Sequence, residues 1–210
     1  ISTLASTLTL GATDNTILFG GNKNTTAAII DGTIASSGNV ILEQRITPFN
    51  SNLELRNTGD GWTGSTTIGA GTTLFLDRNS QALKNTSGIT LNGSGRIYVE
   101  RINDAIAGDQ ISDTAPITFQ GGGELEFRHD SAISSKIENL GAVTIASGRA
   151  HLKLNNATSS GGNEIVLSSL TRSTNTASVF WGNANSSNVL WKVTGESDTP
   201  AGQIIGPWAT

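Results

Sequence analysis

A strand pair joined by a small turn recurs through the middle of this chain, and the repeat constrains the fold more than any other feature. It occurs as TTIGAGTTLFL (66–76), ITLNGSGRIYV (89–99), ITFQGGGELEF (117–127) and VTIASGRAHLKL (143–154). Ile68 precedes Ile89 by 21 residues, Ile89 precedes Ile117 by 28, and Ile117 precedes Val143 by 26. A repeat of about 20 to 30 residues with one supersecondary unit in each copy is typical of a solenoid.

Short alternating runs, separated by Gly, Asn, Ser and Asp, predict strands along the whole chain. The predicted strands are 7–10, 16–19, 27–30, 40–43, 53–55, 66–68, 73–76, 89–91, 96–99, 117–119, 124–127, 143–145, 151–154, 164–167, 178–180 and 189–193. The best helix candidate, 132–140, is short and unconvincing. Repeating units made only of strands predict a parallel β-helix, whose successive rungs pair about 4.8 Å apart.

Alignment of the longer strands tests this interpretation within the sequence. Residues Leu76, Val99, Phe127 and Leu154 then form one interior file, and the residues between them form outward columns. The outward columns are Arg96, Glu124, His151; Phe75, Tyr98, Glu126, Lys153; and Arg56, Asp77, Glu100, Arg128. Most neighbours in these columns have opposite charges or are both aromatic, which favours this register. A β-sandwich with ordinary alternating strands is the alternative fold.

Composition excludes several classes of protein. The chain has no Cys, so it has no disulfide, thiolate metal site or Cys nucleophile. Its net charge of −4 argues against nucleic acid as a partner. No apolar run approaches a membrane span, so we expect a chain that is not embedded in a membrane. Residue 1 is not Met, and we expect residues 1–210 to form one solenoid that is a segment of a longer chain.

The segment LELRNTGDGWTGSTTIGAGTTLFL (53–76) resembles the autotransporter-associated β-strand repeat. The matching elements are Leu53/Leu55, Trp62, Thr63-Gly64, Thr66-Thr67-Ile68, Gly71-Thr72 and Leu74/Leu76. The sequence departs at Thr72-Thr73-Leu74, where the repeat reads Gly-Thr-Leu; the run GQIIGPWAT (202–210) also looks like a stretch that recurs in such proteins. The resemblance implies large secreted or cell-surface proteins, built as right-handed β-helices and used as extracellular fibres or adhesins. We therefore expect an all-β fold, a single right-handed parallel β-helix of roughly 8 rungs at about 25 residues each.

Residues suited to catalysis or metal binding are sparse. Asp104, Asp109 and Asp113 lie in one loop that could hold a hard cation, although a solvated loop between rungs is the favoured explanation. Glu124 and Glu126 face the same way, as the paired carboxylates of glycan-cleaving β-helices do, but a neutralised surface ladder also accounts for them. We expect no enzyme activity, no cofactor and no metal site.

The two ends of a β-helix expose unpaired strand edges, and neither end of this sequence offers an amphipathic helix to cover them. Four aromatic residues lie late in the chain, namely Phe180, Trp181, Trp191 and Trp208. Exposed in a row, they could stack on sugars or on another subunit. The alternative is that they close the C-terminal end of the core. We expect a subunit joint or a ligand-stacking surface made by Leu8, Leu10, Ile17, Phe19, Trp181, Trp191 and Trp208. Open head-to-tail contacts generate filaments.

The sequence therefore predicts a structural protein of a bacterial extracellular fibre or cell surface, whose partners are copies of itself. A glycan- or host-binding adhesin, with surface glycans as partners, is the first alternative. A polysaccharide-degrading β-helix enzyme is the second.

Overall fold

The computed structural model describes residues 2–20, 26–45, 51–56, 61–77, 80–101, 110–129, 137–156, 163–184 and 189–194. Every regular element in these ranges is a β-strand. The strands are β1 (Ser2–Leu4), β2 (Leu8–Thr9), β3 (Asn15–Phe19), β4 (Thr26–Ile30), β5 (Ile34–Ala35), β6 (Val40–Gln44), β7 (Ser51–Leu55), β8 (Thr66–Ile68), β9 (Thr72–Leu76), β10 (Ile89–Asn92), β11 (Arg96–Arg101), β12 (Ile117–Gln120), β13 (Gly123–His129), β14 (Ile137–Ser147), β15 (Arg149–Asn156), β16 (Asn163–Arg172), β17 (Ser178–Ala184) and β18 (Val189–Val193).

Two parallel sheets form the body of the molecule. Within the described ranges, sheet 1 has eight strands in the order β1-β4-β7-β9-β11-β13-β15-β17, and sheet 2 has eight in the order β3-β6-β8-β10-β12-β14-β16-β18. The chain alternates between the sheets and moves along by one strand position per turn, so the fold is a parallel β-solenoid. This confirms the predicted all-β solenoid and excludes the antiparallel sheets of a sandwich.

The interior file predicted from the alignment is confirmed. Val99 lies opposite Leu76 on one side and Phe127 on the other, and Phe127 lies opposite Leu154. All four side chains are buried, with at most 1% of their surface exposed. Each is covered by the same position of the turns before and after it, which is how a narrow solenoid builds a core from two or three apolar residues per strand.

The turns are not equivalent, and the prediction of roughly 8 rungs at about 25 residues each is wrong in number. The regular part comprises about 5 turns, in which a strand of sheet 2 passes through a short corner into a strand of sheet 1. These turns are β8–β9, β10–β11, β12–β13, β14–β15 and β16–β17. The first two turns contain three strands each, β1–β2–β3 and β4–β5–β6, which an equal division of the chain length cannot reveal.

A short third side closes the solenoid just before each strand position of sheet 2. Leu8 pairs with Ile34 there, and Leu83 forms an isolated parallel bridge with Ile111. The backbone N of Ile111 donates to the buried Glu138 carboxylate at 3.4 Å, which places the start of β14 on the same side. Since the start of β14 pairs with β16, and β16 with β18, this side continues to Trp191.

Glycine is required where two corners approach each other. A Cβ on Gly64 would lie 2.1 Å from the carbonyl oxygen of Gly38, and a Cβ on Gly38 would lie 2.0 Å from that of Thr13. At the opposite corner Gly148 has φ +74°, and its backbone lies over Gly121. Stacked corners of this kind explain why Gly recurs at the repeat interval.

All sixteen predicted strands overlap observed strands, whereas β1 and β5 were not predicted. In the best helix candidate, 132–140, the residues that the structure describes, 137–140, begin β14.

Candidate functional site

The two ends of the solenoid differ from its interior because their strands have a neighbour on one side alone. Among the described residues, β1 pairs with β4, β2 with β5 and β3 with β6, and none of these three has a second partner. At the other end, β17 pairs with β15 and β18 with β16. We call these surfaces the first end (β1, β2, β3) and the last end (β17, β18).

The first end contains four of the residues predicted for a joint. Leu8 lies in β2 and Leu10 follows it, while Ile17 and Phe19 lie in β3. Phe19 is buried, whereas Leu8, Leu10 and Ile17 are half-buried and pack against the core from its edge. Their counterparts one turn further in, such as Ile34 opposite Leu8, are fully buried. These side chains are thus core residues that no second turn covers within the part of the chain that the structure describes.

Backbone groups alternate along the strands of the first end. The oxygen of Leu4 accepts from the N of Asp31 at 2.9 Å, so the peptide groups of Leu4 point towards β4 and those of Thr3 point away. Similarly, Leu8 N donates to the oxygen of Thr33 at 2.8 Å, so Thr9 points away from β5. The first end therefore presents alternate N–H and C=O groups along its edge, the arrangement that accepts another strand.

One corner of the first end satisfies its own polar groups. The side-chain amide of Asn15 donates to the oxygens of Gly11 at 3.0 Å and Thr13 at 2.5 Å, and its Oδ1 accepts from Gly11 N at 3.2 Å. The Ser36 hydroxyl of the next turn donates to Gly11 O at 3.1 Å. These bonds satisfy the peptide groups of Gly11 and the oxygen of Thr13 within the corner itself.

The last end contains two tryptophans that point inward. Trp181 lies opposite the buried Leu152, and Trp191 opposite the buried Ile165. Their ring centroids are 5.6 Å apart with planes at 58°, and Trp191 also meets Phe127 edge-on at 6.1 Å. Both are half-buried against the core. Trp208 lies outside the described residues.

Peptide groups at the last end follow the same alternation. Ser178 N donates to Gly148 O at 3.0 Å, so every second residue from Ser178 points towards β15 and Trp181 points away. Thr194 N donates to Leu167 O at 2.8 Å, so Trp191 points away from β16. The indole Nε1 of Trp191 is buried and has no hydrogen-bond partner among the described atoms.

The outward face of sheet 1 bears the charged columns that the sequence predicted. Arg96 contacts Glu124 at 2.7 Å and Glu126 at 2.5 Å, and Arg128 contacts Glu100 at 3.2 Å. Lys153 contacts Glu124 rather than its direct neighbour Glu126. Glu124 and Glu126 are therefore paired with cations, an arrangement that accounts for them without catalysis.

Arg56 extends this face towards the first end. It lies 2.5 Å from Glu54 and 3.7 Å from Asp77, and its hydrogen bond with Glu54 raises the pKa of the guanidinium. Phe75 and Tyr98 stack with centroids 4.9 Å apart, as predicted. Because their ring faces point at each other along the solenoid axis, they offer edges to solvent, and a flat sugar-stacking platform is not formed by this pair.

The loop proposed as a cation site falls mostly outside the described residues, which include Asp113 but neither Asp104 nor Asp109. Asp113 is exposed, and the described ranges contain no group of three or more His, Asp or Glu side chains that could hold a metal ion. The same ranges contain no helix long and apolar enough to cross a membrane.

A buried polar cluster in the middle of the solenoid was not foreseen. Trp62 Nε1 donates to Thr66 Oγ1 at 2.7 Å, and Thr66 shares a hydrogen bond of 2.9 Å with Thr86. Thr86 in turn donates to Gly64 O at 2.8 Å, on the preceding turn. The spacing of the aromatic four residues before Thr66 was visible in the repeat, but its partner Thr86 lies outside that motif.

Scans against protein-family models, curated proteins and solved structures found no match for this chain.

Proposed function

We propose that this chain is a structural protein of a bacterial extracellular fibre or cell surface, and that it self-associates through the two ends of the solenoid. The observation that carries the proposal is the incomplete burial of core side chains at both ends. Leu8, Leu10 and Ile17 at the first end, and Trp181 and Trp191 at the last, occupy interior positions that have one flanking turn, instead of two, among the described residues. A second copy would supply the missing turn at each end.

The shapes of the two ends support association of unlike ends. Strand direction is the same throughout each sheet, so a second copy placed last end to first end continues both sheets in parallel. Two first ends could meet through antiparallel strands alone, a pairing found nowhere among the described strands. Head-to-tail contacts leave a free end at every step and so propagate into a filament.

The sense of the coil and the location of the protein complete the proposal. We propose a right-handed coil, because connections between parallel strands of one sheet are right-handed in about 98% of cases. An extracellular or cell-surface location draws support from the resemblance of residues 53–76 to repeats of autotransporter passengers. The absence of Cys is compatible with it, since stacking instead of disulfides holds the turns together.

The adhesin alternative draws less support from the described aromatics. Trp181 and Trp191 face inward and contact each other, whereas a glycan platform needs ring faces towards solvent. Phe180 does face outward, and it lies against His151 at 5.5 Å. A single ring of this kind is a small surface on which to hold a sugar chain.

Thr3→Pro tests self-association. The Thr3 peptide points away from β4, so proline removes a donor from the exposed edge and leaves the β1–β4 hydrogen bonds in place. We expect the 210-residue chain to form filaments in electron micrographs and to sediment faster as its concentration rises. Thr3→Pro should need at least a tenfold higher protein concentration to form filaments and to sediment faster. Its circular dichroism spectrum should be unchanged.

Thr3→Ala is the matched control, because it removes the same side chain and keeps the backbone donor. It should assemble like the parent chain. A parent chain that stays monomeric at every concentration would show that the proposal is wrong, and equal assembly by Thr3→Pro would show that the β1 edge takes no part in it.

A further inference from the structure

We infer the register of the joint: β17 of one copy pairs in parallel with β1 of the next, with Gly182 opposite Thr3. This inference rests on the proposed self-association and adds to it the pairs of residues that meet.

The columns of sheet 1 define this register. One outward column runs from Thr3 through Ile29, Glu54, Phe75, Tyr98, Glu126 and Lys153 to Gly182, each residue opposite the next. A joint that continues the solenoid must place the first member of the column after the last. Gly182 then lies opposite Thr3, and Trp181 lies opposite the position before Thr3.

Hydrogen-bonding groups match in this register. In a parallel pair, a residue that directs both peptide groups across the gap bonds to the two residues flanking its partner. Thr3 directs its groups out of the first end, and the residues flanking Gly182, Trp181 and Asn183, direct theirs out of the last end. After a shift of one residue, the residues flanking the partner of Thr3 would direct their peptide groups away from the joint, so the hydrogen bonds could not form. The shift would also turn the inward-facing side chains outward.

Side-chain volumes also match across the joint. Interior positions of the neighbouring file are filled by Leu53, Leu74, Ile97, Leu125 and Leu152, all buried. The file ends in the large Trp181 at the last end, and in the small, half-buried Ala28 one turn inside the first end. In the joint, the Trp181 indole of one copy would fill the space beside the small Ala28 of the next copy. A leucine at that position would be too small to fill it.

Engineered disulfides measure the register, since the chain has no cysteine of its own. Adjacent positions in neighbouring rungs have Cα atoms about 4.8 Å apart, within the range that a disulfide spans. We expect Thr3→Cys/Gly182→Cys to form a ladder of linked multimers on mild oxidation. Each single variant should stop at dimers or remain unlinked, because a chain needs both cysteines to extend the ladder.

A further pair makes the test decisive. Thr3→Cys/Phe180→Cys reports a register shifted by two residues, which keeps the hydrogen-bond parity. We expect linkage at least tenfold faster in the inferred pair than in the shifted pair.

The outcomes separate the register from the function. Filaments that link through the shifted pair, or through none of the pairs, would overturn the register and leave self-association standing. A parent chain that never assembles would overturn both.

Discussion

The interior turns and the end turns of this solenoid contain the same kinds of residue in the same files, yet they bury them differently. Ile68 and Ile17 belong to one file of sheet 2, with Leu42 between them. Ile68 is fully buried, whereas Ile17 is half-buried. The difference teaches that burial in this fold is supplied by the next turn and is not a property of the strand that carries the side chain.

Ile68→Ala and Ile17→Ala are the sharpest way to test the comparison, because the residue, the file and the sheet are the same. Removing a fully buried Ile side chain should lower the free energy of unfolding by about 2–5 kcal/mol, and removing the half-covered one by about 1 kcal/mol. Urea unfolding of dilute protein measures both. Equal losses would contradict the claim that end positions lack cover.

The variants Ile17→Ala and Ile68→Ala also test whether a second copy covers the first end. If a second copy covers the first end, the loss for Ile17→Ala should grow at concentrations where the chain assembles, while that for Ile68→Ala stays constant.

Corners provide a second contrast between interior and end. Gly64→Ala places a methyl 2.1 Å from the backbone oxygen of Gly38, so one corner must move away from the other. We expect a loss of about 1–3 kcal/mol, and more if the turns separate. Gly11→Ala, in the corner of the first end, is the control, because its nearest neighbour would be a side-chain oxygen at 3.7 Å. Thermal unfolding of the two variants should differ by several degrees; similar melting temperatures would show that the corners are not in close contact.

Much of this architecture follows from the sequence, and the reason is visible in particular residues. The file Leu76, Val99, Phe127, Leu154 is predictable because period-two alternation and a repeat of nearly constant length both specify it. The strands β1 and β5 are not, because runs of two or three residues contain too little alternation to detect. The three-strand form of the first two turns is not predictable for the same reason.

The contacts that individual side chains make are less predictable than the columns of residues to which they belong. Lys153 was expected beside Glu126, its direct neighbour, but its long side chain reaches diagonally to Glu124. The inward direction of Trp181 and Trp191 could not be decided from composition, which favoured a solvent-facing role equally. Their direction depends on which side of β17 and β18 continues the interior files, and that requires the register of the whole solenoid.

Thr66→Val tests whether the buried hydrogen bonds of Trp62, Thr66 and Thr86 stabilise the interior turns. Valine keeps the volume but leaves the Trp62 N–H without its acceptor in a buried site, which should cost about 1–3 kcal/mol. Thr67→Val is the matched control, since Thr67 is the neighbouring residue of β8 and faces outward, and it should change stability by less than about 0.5 kcal/mol. Urea midpoints decide between them, and identical midpoints would show that the hydrogen bond contributes nothing net.

Tyr98 gives the smallest effect and extends the comparison to the outward surface of the middle turns. Neighbouring side chains partly bury its ring, and this burial raises the pKa of the phenol, although the hydrogen bond with Arg128 opposes the shift. A raised pKa in the folded state means that the folded chain holds the proton longer than the unfolded chain. Its contribution to stability is therefore complete below pH about 10 and is lost as the pH rises through the folded-state pKa.

Tyr98 is the only tyrosine in the chain, so the ultraviolet absorbance of tyrosinate reports its titration without interference from another tyrosine. We expect a midpoint above that of the same chain unfolded in urea, and a loss of stability above pH about 10 that is smaller in Tyr98→Phe. A midpoint equal to the unfolded value would show that the outward surface of the middle turns is as open to water as the ends. The claim that flanking turns shield what lies between them would then hold for the interior files alone.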